Sequence, residues 1–233
     1  MKNRLKMLDK KTIRKGLLIA GMLSFCGFWS TLKADRHAEL DEMSFTEMIN
    51  SVDVGEYSKA IQEVQDKEAR NSFLKYSDLY NFQNKDKKKE RGRLETYRNK
   101  EVILVTLPAS FLFAPNETEL KENAGKYLTH FKKYLNNNNP DLYRVLLVMH
   151  TDNTGSEQYR DKLTEERVES VFLWFDEEGC DTSYLFPYAM GDERPLVEND
   201  SQENRAINRR LEIYVMPGAK MLEQAKRARN NRR

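Results

Sequence analysis

Cysteine, proline, histidine and tryptophan are all scarce in this chain, at 2, 6, 3 and 2 of 233 residues. Each scarcity excludes something. His37, His130 and His150 fall in unrelated segments, and no Cys/His cluster has metal-ligand spacing. No Ser-His-Asp set, phosphate loop or pair of catalytic carboxylates stands out, so the sequence calls for no cofactor and no catalytic role. Charge of neither sign dominates: 39 Lys and Arg stand against 37 Asp and Glu, and a net charge of +2 says little about partners. No repeat at solenoid periods is present. Long apolar runs are missing too. The best, Gly16 to Trp29, is short of the roughly 20 residues a membrane span needs. What is plentiful is charge, at 33% of residues against 39% apolar, which suits a small core with solvated appendages.

The short apolar run follows a basic leader of Lys2, Arg4, Lys6, Lys10, Lys11, Arg14 and Lys15. That is the build of a signal peptide, and Leu32-Lys33-Ala34 is an acceptable cleavage end. Residues 1–34 are therefore assigned to a signal peptide, with an uncleaved membrane anchor and lipidation at Cys26 as alternatives. Phe25 stands where lipidation expects a small residue. All three readings export the rest of the chain. Nucleic acid is then not an expected partner. Cys180 is left as a lone thiol, read as a small apolar residue at a helix end, with intermolecular pairing as the alternative.

Residues 35–100 are rich in Glu, Lys, Asp and Asn and contain no proline. Phe45, Met48 and Ile49 give one short helical pattern, and Ile61, Val64, Phe73, Leu74 and Leu79 another. Asn84 to Arg93 is a charge run, read as a solvated helix face or hinge. This region is expected to be a helical, charged spacer between anchor and domain. Gly218 to Arg233 carries Lys220, Lys226, Arg227, Arg229, Arg232 and Arg233 against Glu223. It is expected to be a solvated basic tail, with attraction to an anionic wall or lipid as the alternative.

Between them, 101–217 alternates strand and helix patterns. Val102–Leu107 reads as a strand ended by Pro108. Asn116 is placed to cap a helix running through Leu120, Ala124, Leu128, Phe131 and Leu135. Tyr143–Met149 is a second strand. Leu163, Val168, Val171, Phe172 and Phe175 then recur at helical spacing up to Gly179, a left-handed cap. Ser183–Met190 and Leu211–Val215 complete the strands. The fold class is an α/β (α+β) sandwich, a mixed β-sheet with helices packed on it in a βαβαβ arrangement. The loops after Met149 and after Met190 should lie together at one sheet end, where ligands bind.

One stretch carries chemistry. His150-Thr151-Asp152, Gly155, Leu163-Thr164 and Arg167 put a carboxylate at a strand end and a guanidinium well inside the next helix. Further on stand Met190-Gly191-Asp192-Glu193, then Asn199, Asn204 and Asn208-Arg209-Arg210. These blocks, in this order, resemble the OmpA/MotB-type C-terminal domain, the OmpA-like peptidoglycan-binding module of cell-envelope proteins. Three positions depart from its pattern. Arg160 replaces its Asn, Met149 the Gly before His150, and Ala114 the Asp after the Leu-Phe entry at Leu112-Phe113.

The resemblance implies that Asp152 and Arg167 grip the diamino acid of the wall's stem peptide. Asp152 would accept from its ammonium, and Arg167 would donate a bidentate fork to its carboxylate. Thr151 and Leu163 would shape the pocket, and N–H groups near Ser156 could help bind the anion. Arg209 and Arg210 would either join the ligand or pair with acids at the sheet end. His150 would hydrogen-bond within the loop. Charge-assisted bonds of about 1.5–3 kcal/mol each, set against association costs, give an expected affinity of roughly micromolar to millimolar.

The reading is an exported, non-catalytic protein that binds peptidoglycan non-covalently. It would be periplasmic and associated with the cell envelope, at the outer membrane. A structural subunit of an envelope machine, such as a motor or secretion scaffold with membrane-protein partners, is the rival. A wall hydrolase would need a metal or nucleophile set that the sequence does not show. Oligomeric state is open.

Overall fold

A computed structural model describes residues 39–52, 55–64, 93–97, 99, 101–135 and 141–231. The leader at 1–34, the pattern through Phe73, Leu74 and Leu79, and most of the Asn84–Arg93 charge run lie outside them. The chain divides into two compact units, Met1–Ser51 and Val52–Arg233.

In the first, Ser44 and Glu47 form a reciprocal capping box at the start of helix α1, Phe45–Asn50. Phe45, Met48 and Ile49 are its buried residues, at the helical spacing read from the sequence.

The second unit is built on one five-stranded sheet. Helix α2, Ser58–Val64, precedes it. The strands are β1 Arg93–Tyr97, β2 Val102–Pro108, β3 Tyr143–His150, β4 Leu185–Ala189 and β5 Arg210–Pro217. Their order across the sheet is β1-β2-β5-β3-β4. Only β3 and β4 run parallel, joined by a helical crossover; the other pairs are antiparallel. The sheet is mixed, as expected, and its last strand in sequence lies at its centre.

Three expectations need correction. The sheet does not begin at 101: β1, assigned to the spacer, pairs with β2 from Arg93↔Thr106 to Tyr97↔Val102. An edge strand with exposed Glu95 and Thr96 has no apolar signature to betray it. Nor does a helix start at Asn116. After the short helix α3, Ala109–Leu112, Phe113 bridges to Leu120 and Asn116 takes φ +62°, a turn conformation Asn tolerates. Helix begins only at α4, Gly125–Leu128, and continues through a 3₁₀ turn at Thr129–Phe131 into α5, Lys132–Leu135.

The third correction concerns the basic tail. Ala219–Asn230 is a helix, α8 in chain order, that packs against α2. Met221 and Ala225 are fully buried, four positions apart on one face, inside an otherwise basic sequence. Its N-terminus is pinned by Asp141, which accepts from Ala219 N–H at 3.2 Å and grips Arg144 through two bonds of 2.6 and 2.8 Å. Lys226 and Arg229 stand over the Tyr57 ring, 5.6 and 5.2 Å from its centroid.

Helix α6, Glu157–Glu177, carries the crossover. Ser156 caps it by accepting from Tyr159 N–H. Leu163, Thr164, Arg167, Val168, Val171, Phe172 and Phe175 form its buried stripe against β3 and β4. Gly179, just past its end, takes φ +73°, the left-handed stop read from the sequence. Helix α7, Gln202–Asn208, capped by Ser201, leads into β5. No helix among the described residues is long and apolar enough to cross a membrane.

Candidate functional site

The site stands where β3 and β4, running parallel, release their loops. Thr151 N–H donates to Gly191 O at 2.8 Å, and Met190 N–H to Met149 O at 2.9 Å, so the two loops leave the sheet side by side. Thr164, from the α6 stripe, accepts from Gly191 N–H at 3.2 Å and locks the helix to the second loop. Met149, where the resembling family has Gly, is a fully buried residue of β3.

Asp152 opens the first loop. One oxygen accepts from Thr154 N–H at 2.8 Å, an Asx turn; the other accepts from Arg209 Nη1. Burial alone would raise this carboxyl, but the bonds from Thr154 and Arg209 outweigh it and hold the pKa below the ordinary value. Asp152 is therefore ionised at neutral pH.

Gly155 has φ +85°, and a Cβ there would stand 2.8 Å from Tyr159 Cδ1. The Tyr159 hydroxyl reaches Asn116 Oδ1 at 3.3 Å. Arg160, at the second departure, donates to Gly155 O at 2.6 Å and meets the Asp192 carboxylate at 2.9 Å. It fastens the first loop to the second.

Arg167 approaches from α6. Its Nε donates to Glu117 O at 2.8 Å, its Nη2 to Ala114 O at 3.4 Å, and its guanidinium lies 4.9 Å from the Phe113 ring centroid. It is only 4% exposed, and it makes no salt bridge among the described residues. Burial pulls its pKa below the ordinary arginine value, and the charge of Arg209 adds to the effect. A buried cation held by neutral carbonyls and a ring lacks a full counter-charge.

Arg209 acts on both of the others. It pairs with Asp152, its charge acts on Arg167, and 35% of its side chain stays exposed. Sequence reasoning left it open between ligand and acid. The structure gives it the acid Asp152, and gives Asp152 no bond to Arg167. Thr151 and Leu163 are buried.

Arg210 turns the other way. It is 2% exposed, and it donates to Glu212 at 2.7 Å, to Asn208 O at 3.1 Å and to Arg194 O at 2.9 Å. Of the two alternatives read from the sequence, ligand or acid, the structure gives Arg210 the acid Glu212: as β5 begins, successive side chains alternate faces, and Arg210 falls on the face with Glu212. His150, its register partner on β3, lies 3.4 Å from Glu212 rather than bonding within the loop. Burial lowers the His150 pKa. Burial would raise Glu212, but His150, Arg210 and the Tyr214 hydroxyl together hold it down to about 2.

The Asn and Arg residues before Arg209 serve the backbone. Asn208, fully buried, accepts from Leu196 and Val197 N–H and donates to Val197 O and Asn199 Oδ1. Arg205 donates to Asn199 O at 3.1 Å. Among the described residues no group of three or more His, Cys, Asp or Glu is placed to hold a metal.

Part of this chain is similar to known proteins. Residues 112–209 match the OmpA family, and this segment is an OmpA-family domain. The chain is 33% identical over 109 residues to the outer-membrane lipoprotein YfiB of Pseudomonas aeruginosa, covering 47% of this chain and 64% of that one. It is 35% identical over 80 residues to outer membrane protein A of Bordetella avium, covering 34% and 41%. The chain thus spans less than two thirds of each relative's length. A MotB-like protein from Desulfovibrio vulgaris shares the fold, with TM-score 0.53 at 21% identity over 69% of this chain and 98% of that one.

Proposed function

We propose that this protein binds peptidoglycan non-covalently through its OmpA-family domain and ties the cell envelope to the wall from the periplasmic side of the outer membrane. One observation carries the reading: the Arg167 guanidinium is buried with no salt-bridge partner among the described residues, while the ionised carboxylate of Asp152 is paired with Arg209, whose charge acts on Arg167. A zwitterionic diamino acid of the stem peptide suits that pair, its carboxylate on Arg167 and its ammonium on Asp152. In this reading Thr151 and Leu163 shape the pocket. Holding such a ligand needs charge and shape and no bond-breaking. The affinity follows as roughly micromolar to millimolar, sufficient on a polymer that repeats the same stem.

The test is sedimentation of the mature protein with purified, insoluble sacculi. Wild type should pellet with them, and an excess of soluble stem peptide containing the diamino acid should release it. Protein that stays in the supernatant when the sacculi supply millimolar stem and no soluble peptide is added, or that pellets and is not released by the soluble peptide, would overturn the reading.

A further inference from the structure

We propose that helix α8 is a docking surface for anionic phospholipid headgroups. The proposal concerns the end of the sheet away from Asp152 and does not depend on the wall-binding reading. Charge is spread unevenly along the exported part of the chain. Residues 35–217 hold 25 Lys and Arg against 35 Asp and Glu, whereas residues 218–233 hold 6 against 1. An acidic body that ends in a basic helix is electrically polar, and an anionic surface attracts only its basic end.

The helix turns that charge outward. Met221 and Ala225 are fully buried and define its inner face. With 3.6 residues per turn, Lys220, Lys226 and Arg227 fall on the opposite side, and all three are exposed. Glu223, also exposed, is the only acid of the helix. Among the described residues none of these four joins an ion pair. Elsewhere in the domain cations meet acids: Arg144 with Asp141, Arg160 with Asp192, Lys132 with Glu178 and Arg210 with Glu212. Separated cations on the convex face of a helix suit a plane of many headgroups better than one enclosed ligand. Their placement agrees. Strand β5 enters the sheet at Arg210, opposite His150, and leaves it at Pro217, opposite Tyr143, roughly 25 Å further on. Helix α8 starts there, held by Gly218 N–H on Leu142 O at 2.9 Å and Lys220 N–H on Asp141 O at 3.1 Å. Lys220 therefore stands at the end of the sheet far from Asp152. Each cation beside an anionic bilayer raises partition by about fivefold, and the attraction reaches about one Debye length, so the nearby cations of α8 outweigh the distant acids.

The experiment is flotation of the mature full chain with vesicles of phosphatidylcholine, alone or with about a third phosphatidylglycerol. The protein should float with the anionic vesicles at low ionic strength, stay behind with the neutral ones, and come off in about 0.5 M salt. Lys220→Gln/Lys226→Gln/Arg227→Gln should lower partition about 100-fold while its thermal melt and its pelleting with sacculi match wild type. Lys121→Gln/Lys126→Gln/Lys162→Gln removes the same charge from exposed positions elsewhere and should lose less than about fivefold. Wild type that ignores the anionic lipid, an α8 variant that partitions as wild type does, or an equal loss in the second variant would overturn the proposal. So would an α8 variant that loses the sacculi, which assigns the helix to the wall, or one whose only change is a smaller oligomer, which assigns it to a second copy. Wild type that floats with anionic vesicles but does not pellet with sacculi would sink the wall reading and support this one.

Discussion

Asp152 and Arg167 differ in what holds them, and their variants should differ accordingly. Asp152→Ala removes an acceptor shared by Thr154 N–H and Arg209, so it should loosen the loop as well as the ligand. Arg167→Ala removes a cation that rests on two carbonyls and the Phe113 ring. Each deletes charge-assisted bonds of about 1.5–3 kcal/mol, so each should weaken binding to sacculi by about 10- to 100-fold in a sedimentation isotherm. Arg167→Lys keeps the charge but not the planar fork, and should still lose about tenfold. A wild-type isotherm for Arg167→Lys would mean that charge alone is read. The motif spacing proposes both residues from the sequence, but it does not show the pairing of Arg209 with Asp152: the side chain that answers Asp152 lies 57 positions away and is brought in only when β5 docks beside β3.

At the scale of elements, the β3–β5 seam carries a charged network on the sheet face opposite Leu211, Ile213 and Val215. The alternation of Leu211-Glu212-Ile213-Tyr214-Val215 reads as one buried and one solvated face, yet Arg210, Glu212 and Tyr214 are buried as well. A strand pattern reveals period, not what covers the second face; the same limit hid β1 and split the helix expected after Asn116. Glu212→Gln strands the buried Arg210 guanidinium and should cost about 3–5 kcal/mol, read as a fall in Tm of roughly 10 °C. The network also sets the acid response. His150, facing Glu212 with Arg210 and Arg194 nearby, has a folded pKa below its ordinary 6.5, so the unfolded chain takes up that proton first and stability falls as pH drops below 6.5. Glu212, ordinary value 4.5 and held to about 2, adds stability that is complete above 4.5 and lost as pH falls toward 2. Thermal melts across pH should show both declines. His150→Gln should abolish the first and reduce the second, since His150 helps hold Glu212 down; an unchanged profile in that variant would contradict the assignment.

For the molecule as a whole, the regions flanking the OmpA-family domain are not mere appendages. Helix α8 packs on α2, from the expected spacer, with Met221, Ala225 and Ile61 all fully buried. Met221→Asp should cost about 2–5 kcal/mol and expose both α2 and α8 to proteolysis and hydrogen exchange together. Cleavage confined to the tail would show that the two helices do not support each other. The division into signal segment, spacer, domain and tail followed composition, and composition does not register a basic helix whose few apolar residues share one face. Binding, in contrast, should depend little on these flanks and almost wholly on the Asp152/Arg167 pair. The most direct measurement is sedimentation with purified sacculi of wild type beside the Asp152→Ala/Arg167→Ala double variant, both shown folded by thermal melting. Wild type should pellet and the double variant should remain in solution; a double variant that pellets as fully as wild type would contradict the account.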